Sequence, residues 1–221
     1  MTASRALLVH CHPDPDSLSA SIRDEVHAAA TANGGTCDLI DLYAEDFDPV
    51  MRRAEWRGYH DEAANLAPVR AHAERIAAAD TLLFTYPTWW FGLPAMLKGW
   101  LDRVLVPGFA FGMPGSDHGP RPGLTHVRRI GVFTTCGASR SASFVMGMPG
   151  RRTLLRGLRA NCHPATRTCY HALYRIDSAS AAQRSAFLAE VPARVERLMG
   201  RRRASPAASL ARRRVGPPTA T

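Results

Sequence analysis

The chain has 221 residues, of which 46% are hydrophobic, with 28 basic against 19 acidic side chains and a formal charge of +9. No apolar run approaches the roughly 20 residues a membrane span needs. The five cysteines, Cys11, Cys37, Cys136, Cys162 and Cys169, are scattered without Cys-x-x-Cys spacing and indicate neither a zinc site nor a disulfide framework. The charge suggests nucleic acid, but six arginines fall in Arg201–Arg203 and Arg212–Arg214, within a Pro/Ala/Ser-rich tail. The core without that tail is only mildly basic, a balance that suits a phosphate-bearing small molecule rather than DNA.

Ala6 to Cys11 reads as a first strand. The apolar N-terminus is interrupted by His10-Cys11-His12-Pro13, too early for a signal peptide, and the expectation is a cytoplasmic protein. A loop from His12 to Ser19 leads into a helix over Ala20 to Ala32, with Ile22 and Val26 on one face and Gly34-Gly35 as its stop. Thr36 to Leu42 is a second strand, Tyr43 to Asn65 an irregular segment, and Pro68 to Ala79 a helix. Thr81 to Thr85 is a buried third strand that Pro87 ends, because proline cannot donate to a ladder. Trp89, Trp90 and Phe91 follow on a loop. Pro94 then sits in the first turn of a helix reaching about Val106, with Leu97, Leu101 and Val104 at helical spacing.

Pro107 to Thr125 is a long Gly/Pro-rich loop of the kind that is usually functional or mobile. Arg129 to Thr135 is strand four, Gly150 to Ala160 a helix, Thr166 to Leu173 strand five, and Ala179 to Met199 a last amphipathic helix. One domain over 1–199 is expected, followed by a basic disordered tail over 200–221. Strands alternating with helices imply a parallel sheet between two helical layers, with the order 2-1-3-4-5. Ligands bind such sheets at the carboxyl ends of the strands, at the switch point between the first and third. Three flat side chains at the end of the third strand suit a flat ligand there. Ser17 and Ser19, at the start of the first helix, serve either as caps or as part of a phosphate site. Asp14 and Asp16 oppose an anion unless they point away.

The order Pro87-x-x-Trp90-Phe91-Gly92-x-Pro94-Ala95-x-Leu97-Lys98-Gly99-Trp100-x-x-Arg103-Val104, followed by Gly108-Phe109-Ala110-Phe111, closely resembles the NAD(P)H:quinone reductases of the flavodoxin-like flavoprotein superfamily. The resemblance implies a flavodoxin-like fold and a flavin, FAD or alternatively FMN, with NAD(P)H as co-substrate and a quinone or similar flat acceptor. It implies that His12, Ser17, Leu18 and Ser19 contact the flavin's phosphate arm. Pro87, Thr88, Trp89, Trp90 and Phe91 line the ring, Trp90 and Phe91 also walling the catalytic cavity. Thr134, Thr135, Cys136 and Gly137 stand at the ring's pyrimidine edge, and Phe111 and Met113 act as a lid across a homodimer interface.

Two departures stand out. Cys136 replaces a family glycine, which costs energy only if the position needs positive φ. The family's Tyr/His proton relay has no counterpart, since Ser143 or Phe144 and Pro149 stand near those positions. The chain lacks Gly-x-Gly-x-x-Gly, which fits one slot serving two flat substrates in turn, by a ping-pong mechanism. Two other classes remain open: a regulatory flavodoxin-like subunit of a potassium-efflux-type transporter, which the missing relay favours, and an electron-transfer flavodoxin, which is usually acidic and lacks the Trp-rich loop.

Overall fold

A computed structural model of the chain describes residues 4–32, 35–62, 64–112 and 121–200. Met113, Gly34 and the tail beyond Gly200 lie outside the described residues. Five parallel strands form one sheet in the order β2-β1-β3-β4-β5, as the alternation of elements predicts. They are β1 (Arg5–His10), β2 (Thr36–Asp41), β3 (Thr81–Thr88), β4 (Arg129–Cys136) and β5 (Arg167–Tyr174). The helices are α1 (Leu18–Thr31), α2 (Arg53–Arg57), α3 (Arg70–Ala77), α4 (Ala95–Val104), α5 (Arg140–Val145), α6 (Pro149–Arg152) and α7 (Ala181–Met199). A π-helical segment, Thr153–Leu158, continues α6.

Side chains alternate across a strand, and here both faces are buried. Leu7, Val9, Leu82, Phe84, Ile130 and Val132 face one way, against α3, α4 and the π-helical segment. Ala6, Leu8, Leu83 and Phe133 face the other, against Ile22 and Val26 of α1 and Phe187, Val191 and Val195 of α7. Continuous apolar strands are what a parallel sheet covered on both faces requires. Helix α7 begins with a capping box, Ser180 and Gln183 each bonding the other's backbone, and ends at Gly200 with φ 75°.

Two expectations are corrected. Pro87 does not end β3; it pairs in register with Thr135, and the strand runs on to Thr88. The Thr85 carbonyl accepts from Cys11 N–H at 3.0 Å, so Thr85 faces β1. Pro87, two residues on, points the same way but past the end of β1, and its missing donor removes no ladder bond. The segment 43–65 is not wholly irregular. It contains α2, which Arg103 of α4 anchors through a two-pronged pair with Glu55 at 2.8 and 2.9 Å. Gly99 is required in α4 because a Cβ there would lie 2.5 Å from the Pro49 side chain.

Candidate active site

Three loops meet at the carboxyl end of the sheet. The first follows β1. His10 is buried and its Nδ1 lies 2.8 Å from Thr85 Oγ1, tying β1 to β3. Burial holds its imidazole down at about 4, although the Asp41 carboxylate works against this, so the ring is neutral at ordinary pH. Asp14 N–H donates to His12 Nδ1 at 3.0 Å, and Asp16 N–H donates to Asp14 Oδ1 at 2.9 Å. Asp14 thus binds its own loop, an Asx turn, and forms the turn that delivers the chain to α1. Ser17 caps that 14-residue helix, its Oγ accepting from Ala20 N–H at 3.2 Å. The first turn of α1 carries no acidic residue. The amides of Leu18 and Ser19 have no intrahelical acceptor by position, which leaves a partial positive charge at this end.

The second loop follows β3. Gly92 N–H donates to the Trp89 carbonyl at 2.9 Å, closing a tight turn across Trp90 and Phe91. Both turn residues have left-handed backbone, φ 48° and 61°. That is the type I′ pattern, normally reserved for Asn-Gly. Two such non-glycine residues cost about 1–2 kcal/mol each. Trp90 is 95% exposed and Trp89 45%. The Trp89 ring lies 6.3 Å, centroid to centroid, from His12, which brings the first two loops together.

The third loop follows β4, and with the second it encloses a cleft of about 350 Å³. Pro87 to Phe91 form one wall, Thr135 to Ala138 the opposite wall, and Ile176 and Asp177 close the end. Cys136 is buried and is the last residue of β4; its φ is not positive, so the replacement of glycine carries no backbone strain there. Gly137 is constrained instead by close approach, since a Cβ would lie 2.7 Å from Asp177 Oδ2. Asp177 is exposed, and sequence reasoning missed it because it lies beyond β5, outside the recognisable motifs.

Not every expected residue reaches the cleft. Thr134 is fully buried beneath it, donating to the Tyr86 carbonyl at 2.6 Å and lying 3.0 Å from Thr88 Oγ1, so it buttresses the wall. Phe111 lines a separate cavity of about 420 Å³ beside α4. Ser143, near the expected relay position, is buried with its Oγ 3.5 Å from Cys136 Sγ, while Phe144 is 74% exposed. Among the described residues no three His, Cys, Asp or Glu side chains are grouped to hold a metal ion, and no helix is long and apolar enough to cross a membrane.

The family model described as flavodoxin-like fold matches residues 4–191. Ribosyldihydronicotinamide dehydrogenase (quinone) of Rattus norvegicus is 33% identical over 131 residues, which cover 52% of this chain and 57% of the relative. The chain thus spans little more than half the length of that curated relative. The crystal structure of Smu.1420 from Streptococcus mutans UA159 is similar with a TM-score of 0.75 and 28% identity, over 87% of this chain and 99% of that one. The NAD(P)H:quinone oxidoreductase from Methanothermobacter marburgensis shares the fold at a TM-score of 0.75 and 22% identity, over 89% of this chain and 100% of its own.

Proposed function

This chain belongs to the flavodoxin-like fold family, and on that premise we propose that it is a flavin-dependent NAD(P)H oxidoreductase reducing a quinone or a similar flat acceptor. One observation carries the reading. A left-handed turn of two aromatics and the Thr135–Ala138 turn line one cleft at the carboxyl ends of β3 and β4, and the His12–Trp89 contact sets the β1 loop that leads into α1 beside it. When bound, the flavin supplies the two-electron relay between NAD(P)H and the acceptor. Because both flat substrates use one slot in turn, the kinetic order is ping-pong.

The residues present fit that group. The α1 terminus has no acid in its first turn, and one oxygen of Asp14 is engaged by Asp16 N–H, so the amides at this end suit an anion. In this reading His12, Ser17, Leu18 and Ser19 hold the phosphate arm. Pro87, Thr88 and Trp89 lie along the ring, and Thr135, Cys136 and Gly137 lie at its pyrimidine edge. Trp90 and Phe91 wall the acceptor slot. FAD is the favoured flavin, with FMN the alternative. A homodimer is supported by exposed apolar residues, Trp90 at the cleft and Phe144, Val145 and Met146 at the end of α5; Phe111 and Met113 would then serve the partner's site. All five thiols are free, which suits the reducing cytoplasm.

The buried Ser143 and Pro149, the first residue of α6, where the family's relay would stand, favour one second reading, a regulatory flavodoxin-like subunit with slow turnover. Steady-state kinetics separate the two. Varying NADPH at several fixed benzoquinone concentrations should give parallel double-reciprocal lines. Intersecting lines would exclude a shared slot, and turnover no faster than that of free flavin would favour the regulatory subunit.

A further inference from the structure

A second and larger cavity, about 970 Å³, lies along β5, the strand that ends the sheet. Tyr170 and Tyr174, on one face of β5 with Ala172 between them, line it together with Phe144, and Arg140, Arg151 and Arg194 stand around it. The Arg151 guanidinium lies over the Tyr170 ring, 5.5 Å from its centroid. Arg194 is paired with Glu190 at 3.1 Å. Among the described residues no carboxylate pairs with Arg140 or Arg151. Elsewhere Arg103 pairs with Glu55 at 2.8 Å and Arg75 with Asp38 at 2.6 Å, while Arg159 and Arg167 are held by backbone carbonyls.

Two guanidinium groups without a carboxylate partner, beside an aromatic lining, suit a flat ring that carries phosphate. The forked N–H donors match phosphate oxygens, and the tyrosine rings offer a stacking surface. The cavity adjoins the cleft. Ala138 lines the cleft and Arg140, two residues on, lines the cavity; Tyr174 pairs in register with Cys136.

We propose that this cavity binds an adenosine phosphate, and that in the working enzyme it takes the 2′-phosphate-bearing end of NADPH while the nicotinamide lies in the cleft. The choice of dinucleotide rests on the oxidoreductase reading; the nucleotide site itself does not. NADPH is then preferred to NADH, because only NADPH brings a further phosphate to Arg140 and Arg151.

The test is calorimetric titration of the full chain with 2′,5′-ADP, 5′-AMP and inorganic phosphate, with flavin content measured on the same samples. The expected result is 2′,5′-ADP binding about tenfold tighter than 5′-AMP, with inorganic phosphate far weaker. Arg151→Gln and Arg140→Gln should each lose about tenfold of the 2′,5′-ADP affinity with unchanged flavin content. Tyr170→Phe, which keeps the ring, should bind like the parent. Equal affinity for all three probes, or binding indifferent to both arginines, overturns the proposal. A yellow protein that binds no 2′,5′-ADP overturns this site alone. A protein that stays colourless after incubation with FAD and FMN yet binds 2′,5′-ADP through the arginines supports the site and removes the oxidoreductase reading.

Discussion

The rings of His12 and Trp89 stand with centroids 6.3 Å apart and planes tilted by 54°. They belong to loops that leave two neighbouring strands, β1 and β3, and 77 positions separate them in the chain (89 − 12). That contact joins the proposed phosphate end of the site to its ring end. It places the α1 terminus and the aromatic turn in one crevice.

Ser17→Asp should expel the flavin without unfolding the protein. Aspartate caps a helix as well as serine does, so α1 keeps its cap and thermal stability stays within about 0.5 kcal/mol of the parent. The added carboxylate would stand against the flavin phosphate. Flavin per chain, read from absorbance after desalting, should fall severalfold. A fully loaded variant would move the phosphate site elsewhere.

Trp90→Gly should trade activity for stability. The side chain is 95% exposed, so little buried area is lost, and glycine accepts φ 48° without strain. Relief of about 1–2 kcal/mol outweighs the added chain entropy of about 0.4–1 kcal/mol. Chemical denaturation of the apoprotein should therefore show a gain of up to about 1.5 kcal/mol. Acceptor reduction should drop more than flavin retention does, because in the proposed reading backbone groups, not the Trp90 indole, hold the ring. Loss of stability would show that the indole has packing partners; equal loss of activity and flavin would remove Trp90 from the acceptor wall.

Asp177→Asn should raise the reduction potential of the bound flavin. Its carboxylate lines the cleft beside Gly137, where the proposed reading puts the ring edge that gains charge on reduction, and among the described residues no cation pairs with it. The group is exposed, so the effect is modest, up to about tenfold in the reduced-to-oxidised ratio or about 30 mV for a two-electron couple. Potentiometric titration reads this directly. An unchanged potential would mean that the carboxylate does not face the ring.

His10 makes stability depend on pH. Its folded value, about 4, lies below the ordinary 6.5, chiefly through burial; Arg23 and His12 push the same way and Asp41 pushes back. The unfolded chain therefore binds the proton first. Stability is complete above about pH 6.5 and declines as the pH falls toward 4, by an amount on the order of 3 kcal/mol. His10→Gln should flatten urea-denaturation midpoints across that window. A profile as steep as the parent's would assign the acid sensitivity to other groups, such as His72 and His171, which burial also lowers.

Much of this was legible in the chain. Strand and helix periodicities fixed which segments pair, and the alternation of elements implied the sheet order. The aromatic loop after β3 announced the site because its residue order is distinctive. What escaped was set by long-range geometry. Nothing local shows that Pro87 points past the end of β1, or that Trp90 and Phe91 take a left-handed turn without a glycine. Whether Thr134 faces the cleft or the core depends on its register against Tyr86, not on its type. Asp177 reaches the cleft only because β5 ends beside Gly137. Phe111 lies against α4, and its proposed role needs a second chain that a single sequence does not display.

The central claim is tested most directly by a visible absorption spectrum of the purified protein, taken before and after anaerobic NADPH and again after adding a benzoquinone. The account predicts a yellow protein whose band near 450 nm, on the order of one flavin per chain, bleaches with NADPH and returns with the quinone. A protein that stays colourless after incubation with either FAD or FMN would contradict it, as would a yellow protein that NADPH does not bleach.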